Sequence, residues 1–288
     1  MSFEQLLGEL KSGDKERQIR ALLELDASGL FINKGESAAD FSLRLAKLND
    51  ALCEIKEGKS RYDSEYLGFD KVDAKLISEA SAITWRLYRF RAEWVPVRVS
   101  KKNTGPFCEG ILYEFDGYLP AIFLKNPNKK NSAEILAHEM CHAAKLPFAE
   151  SVYCEYFPRK TEENAFRQLA GNLFRKWQIP CAIFASLSLW ALLIALGKIA
   201  LALIALIPAI LAFAREIYIS QKLKKSRAKL ELANFEALAL LFRMTDSEIF
   251  ELANAKDANA WISDMSARSI RWEVYKAAFS KSGAKVRE

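Results

Sequence analysis

The residues best suited to chemistry in this 288-residue chain lie in one short stretch. His138 and His142 stand four residues apart, Glu139 follows the first of them directly, and the chain has two histidines in all. On a helix, residues four apart share one face, so both imidazoles can hold one metal ion while Glu139 lies beside its open side. Neutral imidazoles suit zinc, and a catalytic zinc ion lowers the pKa of a bound water towards about 7. A neighbouring carboxylate can then accept that water's proton.

The stretch from Asn131 to Pro147 is predicted to be one short helix. Asn131 can cap its start, and Pro147 forbids its continuation. Leu136, Met140 and Ala143 are spaced four and three residues apart, which gives the helix an apolar side to bury. We therefore expect the two histidines to lie at the edge of a cleft rather than in open solvent.

The run His138, Glu139, Met140, Cys141 and His142 resembles the HExxH motif of the zincin metallopeptidases. The resemblance implies that the two histidines hold zinc and that Glu139 is the general base. An ordinary surface helix is the alternative interpretation of the same residues.

The third zinc ligand has to come from elsewhere. A catalytic zinc ion usually has three protein ligands, and without a third histidine the remaining one must be Glu, Asp or Cys. This favours the gluzincins, which use a glutamate on a following helix. Residues 161–176 are predicted to form such a helix, with Glu162 on its apolar stripe, where zinc would give the carboxylate a partner. Glu163 is the second choice, and two acids favourably placed at a helix N-terminus without any metal are the alternative.

Upstream of the HExxH helix the hydrophobic period changes to two, which indicates β-strands. The predicted strands are Val95 to Val99, Ile111 to Phe115 and Tyr118 to Leu124, with Asp116 and Gly117 as a favoured two-residue hairpin turn. We expect a small antiparallel sheet. In zincin peptidases the edge strand of such a sheet pairs with extended substrate, and by resemblance Tyr118 to Leu124 is the candidate strand.

A long apolar segment follows. Between Ile179 and Ala214 the one charged residue is Lys198. The stretches Pro180 to Leu196 and Ile199 to Ala214 would each cover about 25 Å as helices, slightly less than a typical bilayer core. We therefore predict a transmembrane helical hairpin that either spans the bilayer or is re-entrant; a fully buried hairpin in a soluble core is the alternative.

Basic residues flank this hairpin on both sides, as expected of the cytoplasmic side of a membrane. They are Arg175, Lys176, Arg215, Lys222, Lys224, Lys225, Arg227 and Lys229. Both ends of the hairpin, and the HExxH site with them, are therefore expected on the cytoplasmic side.

Two narrower resemblances add to this picture. The segment DGYLPAIFLKNPNKKNSAEILAHEMCHA is similar to the core of ImmA/IrrE-type peptidases, in which a strand, a short loop and HExxH follow one another. An HExxH helix followed by a membrane hairpin is similar to HtpX/Ste24-type membrane zinc peptidases, whose third ligand lies on a helix after the hairpin. That ligand position falls on Leu230 in this chain, with Glu231 and Glu236 as nearby acidic residues.

The rest of the sequence predicts helices. Amphipathic patterns place them at Phe3 to Leu10, Lys15 to Leu25, Ala38 to Ile55 and Asp70 to Trp94, and a last one at Asp257 to Ser280. The predicted fold is thus mainly α, with a small antiparallel β-sheet in an α+β zincin-like core and a transmembrane helical hairpin. The predicted divisions are an N-terminal helical region (1–94), the metallopeptidase core (95–176), the hairpin (177–215) and a C-terminal helical region (216–288).

Composition narrows the functional classes. Five scattered cysteines argue against a disulfide framework and for a reducing compartment. The net charge of +6 is concentrated near the hairpin and the C-terminal tail, so anionic lipid headgroups explain it better than nucleic acid does. The leading hypothesis is a membrane-anchored zinc endopeptidase that cleaves proteins or peptides, with Tyr153 and Tyr156 as nearby candidates for oxyanion support. The alternatives are a membrane-tethered interaction or regulatory protein with an inactive or structural HExxH site, and a soluble ImmA/IrrE-like regulatory protease.

Overall fold

The structure is a computed structural model, and it describes residues 1–57, 71–104, 108–148, 151–163 and 178–281. Within these ranges the protein is mainly helical, with one small sheet. The helices are α1 (Phe3–Lys11), α2 (Lys15–Ala27), α3 (Ala38–Lys56), α4 (Ala74–Tyr88), α5 (Ser132–Lys145), α6 (Gln178–Ala195), α7 (Ile199–Ala205), α8 (Ile207–Leu232), α9 (Ala237–Arg243), α10 (Asp246–Asn254), α11 (Ala258–Arg268) and α12 (Ile270–Phe279). The strands are β1 (Val97–Val99), β2 (Gly110–Phe115) and β3 (Leu119–Leu124).

Side-chain caps define where several helices begin. Ser2 and Gln5 form a capping box at α1, and the side chains of Asp14 and Ser37 accept backbone N–H groups at the starts of α2 and α3. Helix α4 ends earlier than the predicted Trp94, because Arg89 takes a left-handed conformation with φ 59°. The predicted start of that helix, at residue 70, lies outside the described residues.

The C-terminal region differs from the prediction in one respect. Thr245 and Glu248 form a capping box at the start of α10. The single helix predicted from Asp257 to Ser280 is instead two helices, because Ser269 takes an extended conformation between α11 and α12.

The sheet is mixed, which corrects the predicted antiparallel sheet. Strand β3 lies in the centre, antiparallel to β2 and parallel to β1. The hairpin lies where predicted, but Phe115 pairs with Leu119, so its loop has three residues, Asp116, Gly117 and Tyr118, rather than the predicted two. Asp116 and Gly117 both have positive φ there. A period of two identifies strands but carries no information on whether neighbours run parallel, so the direction of β1 could not be read from the sequence.

The predicted edge strand is therefore the central one. All six residues of β3 are buried, as expected of a strand covered on both faces. Pro120 is tolerated there because β1 pairs with β3 only from Ile122 onwards, which leaves one edge of the strand open at the proline. Strand β2 lies at one edge of the described sheet and has β3 as its one strand neighbour there.

Helix α5 packs against the sheet on one side and against α4 on the other. The buried apolar residues form a core cluster that runs from α1 to α12 and includes the sheet and α5. Buried ion pairs join distant parts of the chain within it: Arg243 Nε lies 2.6 Å from Asp26 Oδ1, and Arg271 Nη1 lies 2.7 Å from Glu248 Oε1. The N-terminal and C-terminal helices thus contribute to the frame that holds α5.

The apolar segment forms helices that are largely exposed. The run Ile199–Leu232, which comprises α7 and α8, is long and apolar enough to cross a membrane, and 11% of its most apolar window is buried. A second, shorter apolar helix covers Ile179–Ala195. At Gly197, with φ 70°, the chain reverses direction, and α6 packs along α7 and α8.

Small side chains mediate that packing. Ser186 on α6 donates a hydrogen bond to the carbonyl of Ala205, and Ala202 and Ala209 are buried beside it. Small residues at a helix contact allow close approach of the backbones, which is typical of helices that associate in lipid. The large side chains of the same helices, Phe184, Leu196, Ile199 and Leu211 among them, are exposed.

A candidate metal centre beside an edge strand

Helix α5 places the two histidines and Glu139 at the same place in the fold. His138 Nε2 and His142 Nε2 lie 3.2 Å apart, as their spacing of one helical turn predicts. His138 is 9% and Glu139 is 8% exposed, so both side chains sit at the edge of the core. Asn131 stands at the N-cap position of α5, but its side chain makes no capping hydrogen bond.

Glu155 completes a cluster that sequence reasoning missed. Its Oε1 lies 3.3 Å from His142 Nε2, and its Oε2 lies 3.5 Å from His138 Nε2. One ligand atom from each of the three residues falls within 4.8 Å of the others. Glu155 belongs to an irregular loop before a short 3-10 turn at Pro158–Thr161, where no hydrophobic period points to a position.

The loop that carries Glu155 is fixed from several directions. The Asp246 carboxylate, at the start of α10, accepts backbone N–H groups of Ser151, Val152 and Tyr153 at 3.1, 2.7 and 3.1 Å. The Tyr153 hydroxyl donates to the carbonyl of Ile219 on α8 at 3.0 Å. On the other side of Glu155, the Tyr88 hydroxyl donates to the carbonyl of Phe157 at 2.6 Å. The carboxylate of Glu155 is therefore held by tertiary contacts rather than by a helix.

The two imidazoles and the Glu155 carboxylate lie close enough together to hold one zinc ion. Zinc bonds of 2.0–2.1 Å to nitrogen and oxygen place neighbouring ligand atoms of a tetrahedron roughly 3.3–3.4 Å apart. The two Nε2 atoms are 3.2 Å apart, close to that value, and each Glu155 oxygen approaches a different ring, Oε1 at 3.3 Å from His142 Nε2 and Oε2 at 3.5 Å from His138 Nε2. Glu155 Oε2 is buried, and its contacts are with His138 Nε2 at 3.5 Å and with Arg159 Nε at 3.4 Å.

Glu162, the predicted third ligand, lies on the opposite side of the His138 ring. Its Oε1 is 3.5 Å from His138 Nδ1, whereas Nε2 of the same ring faces His142 and Glu155. Arg159 Nη1 lies 2.9 Å from that same Glu162 oxygen, and Arg159 Nε lies 3.4 Å from Glu155 Oε2. One arginine thus contacts both carboxylates that flank His138.

The other candidate carboxylates have different partners. The backbone N–H of Glu163 donates to the side chain of Glu134 at the start of α5. Glu231 pairs with Arg227, Glu236 pairs with Arg89, and Leu230 is fully buried. Glu231, Glu236 and Leu230 all lie outside the cluster of His138, His142 and Glu155. Most of the helix predicted for residues 161–176 lies outside the described residues; Thr161 ends the 3-10 turn, and Glu162 is extended.

The electrostatics of the cluster favour positive charge. Burial lowers the pKa of His138, but the Glu155 and Glu162 carboxylates outweigh it and raise the pKa to about 9. Burial likewise raises the pKa of Glu155, but contact with the two imidazoles lowers it well below its usual value. The pKa of Glu162 is also lowered, because His138 and Arg159 together outweigh burial. Such a site attracts a cation, and a metal ion must displace any proton from the imidazoles.

The cluster opens onto a cleft of about 490 Å³. Strand β2 forms one wall through Gly110, Ile111 and Leu112, and Glu139 lines the cleft. Gly110 allows β2 to approach α5, because an added Cβ would lie 2.7 Å from Ile135 Cγ2 and 3.2 Å from Glu139 Cγ. The edge strand and the general-base candidate are therefore in direct contact.

Basic side chains, two tyrosines and two cysteines also lie at or near the cleft. Arg159 and Lys145 line it, and the Lys145 ammonium lies over the rings of Phe148, Phe157 and Phe242. The Tyr153 hydroxyl is engaged with Ile219 and does not face the cleft, which leaves Tyr156 as the other tyrosine on this loop. Cys141 is fully buried, and Cys154 Sγ contacts the carbonyl of Ser151 at 3.4 Å.

No family model, curated protein or solved structure matches this chain.

Proposed function

We propose that this protein is a membrane-anchored zinc metalloendopeptidase in which His138, His142 and Glu155 hold the metal and Glu139 is the general base. The observation that carries the proposal is the convergence of the two Nε2 atoms and the Glu155 carboxylate within 4.8 Å of one another, beside the Glu139 carboxylate in an open cleft. Two histidines and one acidic ligand with an open fourth position are typical of catalytic rather than structural zinc sites.

Glu162 takes a supporting role in this proposal. Histidines that bind metal commonly direct their second ring nitrogen at a carboxylate, which fixes the tautomer and the ring orientation. Glu162 stands at that position on His138, within 3.5 Å of Nδ1. Arg159 holds both Glu162 and Glu155, so the carboxylates on the two sides of the ring are positioned together.

The chemistry follows from these positions. When bound, zinc supplies Lewis acidity and lowers the pKa of a coordinated water. Glu139 accepts a proton from the attacking water and returns it to the leaving amine. Arg159, which lines the cleft and contacts Glu155 and Glu162, is the positive side chain that would face the developing negative charge, a role that the sequence alone assigned to Tyr153 or Tyr156.

Strand β2, in place of the predicted Tyr118 to Leu124, presents the edge for an extended substrate. Its Gly110, Ile111 and Leu112 line the cleft, and β3 occupies its other edge. An extended peptide added to this edge would run antiparallel or parallel beside α5, with its backbone hydrogen-bonded to β2. This arrangement favours hydrolysis of peptide bonds over attack on small, compact substrates.

The exposed apolar helices favour a membrane anchor. A hairpin in a soluble core would be mostly buried, whereas the apolar window of Ile199–Leu232 is 11% buried. We propose that α6 and the start of α8, joined by α7, form a hairpin in the bilayer. The basic residues that follow it, such as Lys222, Lys224 and Lys225, favour the cytoplasmic side for the catalytic region.

Metal-dependent cleavage of a peptide library tests the proposal. Full-length protein in detergent micelles is stripped with a chelator, reloaded with zinc and incubated with a proteome-derived library read by mass spectrometry. Cleavage is expected after reloading and absent after stripping, and His142→Ala is expected to lose it. Glu163→Gln serves as the matched control and is expected to retain it. If zinc-loaded protein cuts nothing in the library, the proposed activity is wrong.

A further inference from the structure

The loop that carries Glu155 is attached directly to the helix that leaves the apolar segment. The hydroxyl of Tyr153, two residues before Glu155, donates a hydrogen bond to the carbonyl of Ile219 on α8. Ile219 is 7% exposed, and the Tyr153 ring also packs against Phe250 of α10. This contact is buried and joins the metal ligand loop to the same helix that begins in the apolar run.

Helix α8 is held firmly where it makes this contact. Tyr218 stacks on Phe250, and Lys222 Nζ donates to Asn254 Oδ1 at 2.6 Å. Further along, Lys229 donates to the carbonyls of Leu252 and Ala253 at the end of α10. Because α8 is one helix from Ile207 to Leu232, these contacts fix the apolar end of the helix relative to the cleft.

The distance between the apolar segment and the cluster is short. Ile219 lies five positions after Ala214, the last residue of the apolar stretch, which corresponds to a rise of about 7.5 Å along the helix. With the reach of one tyrosine side chain and two residues of chain to Glu155, the path is roughly 20–25 Å at most. An extended peptide covers that distance in about six to eight residues.

We infer that the substrates of this protease are polypeptides anchored in the same bilayer, and that cleavage falls within about eight residues of the membrane surface. This inference rests on the proposed function. Strand β2, at an edge of the described sheet, can accept an extended chain, and the fixed position of α8 holds that strand at a set height above the membrane. A segment that emerges from the bilayer reaches the cleft directly, whereas a peptide bond farther along the chain must loop back to it.

A polypeptide with several identical cleavage cassettes in a row tests the inference. The cassette is the peptide cut best in the library experiment, and the array is fused to one transmembrane helix. Zinc-loaded full-length protein and the fusion are reconstituted together into phosphatidylcholine and phosphatidylglycerol vesicles, and the cut positions are mapped by mass spectrometry. The same array without an anchor, added to the same vesicles, is the control.

The expected result is that the cassette nearest the bilayer accounts for most of the cleavage, with loss of cleavage at the distal cassettes. The unanchored array is expected to be cut without preference among its cassettes. Equal cleavage at every cassette of the anchored array overturns the inference and leaves the peptidase activity intact. If neither array is cut, the proposed function fails and the inference fails with it.

Discussion

Replacing Glu155 by glutamine separates the proposed ligand set from the one that the sequence suggested. The carboxylate of Glu155 lies 3.3 and 3.5 Å from the two Nε2 atoms, whereas Glu162 reaches the far nitrogen of one ring. A single ion cannot bind both nitrogens of His138. Glu155→Gln should therefore remove a metal ligand, whereas Glu162→Gln should remove a group that orients the His138 ring.

The expected magnitudes differ accordingly. Loss of a carboxylate that orients a metal-bound histidine costs about 10–100-fold in metal affinity. Loss of a ligand should exceed this, with a drop of more than about 100-fold, or more than about 2.7 kcal/mol. Glu163→Gln changes an exposed side chain outside the cluster and should leave the affinity unchanged.

Competition against a chromophoric zinc chelator measures these affinities directly on the full-length protein in micelles. The predicted order of loss is Glu155→Gln, then Glu162→Gln, then no change for Glu163→Gln. If Glu162→Gln loses more zinc affinity than Glu155→Gln, Glu155 is not the third ligand, and Glu162, the ligand expected from the sequence, takes its place.

Two further predictions concern stability in micelles. Tyr153→Phe removes the hydroxyl that bonds to α8 and should lower the free energy of unfolding by about 1 kcal/mol. The control, Tyr156→Phe, should lower it little, because the Tyr156 hydroxyl makes no hydrogen bond in the described ranges. Equal urea midpoints for the two variants would contradict this prediction. Burial raises the pKa of Glu248, but its contacts with Arg271 outweigh burial and lower it. The stability from this pair is therefore fully present above the unfolded carboxyl pKa of about 4.3 and is lost as pH falls through the lower folded pKa. Glu248→Gln should be less stable at neutral pH and should show a shallower loss on acidification; an unchanged pH slope would refute the pairing.

The parts of the structure that the sequence predicts well are those with a strong local period. Helix α5 and the one-turn spacing of its histidines follow from 3.6 residues per turn and from Pro147. The position of the hairpin at Asp116 and Gly117 follows from the conformational preferences of those residues, which both have positive φ, although the loop is one residue longer than predicted. In each case residues close in sequence determine the result.

The features that the sequence did not predict depend on contacts between distant residues. Glu155 lies in a loop fixed by Asp246 and by Ile219, which follow it by 91 and 64 residues. A carboxylate among Tyr153, Tyr156 and Phe157, between two prolines, was the available signal, but no period marks it. The central position of β3 likewise depends on where β1 pairs, although its continuous apolar character was consistent with burial on both faces.

The most direct test of the central claim is the cleavage rate of zinc-loaded Glu139→Gln protein on the best peptide from the library. General-base catalysis contributes about 10²–10⁴-fold, so the rate should fall by that factor while zinc remains bound at wild-type stoichiometry. A wild-type rate in this variant would contradict the account, because the metal site would then be performing its chemistry without the carboxylate proposed to accept the proton.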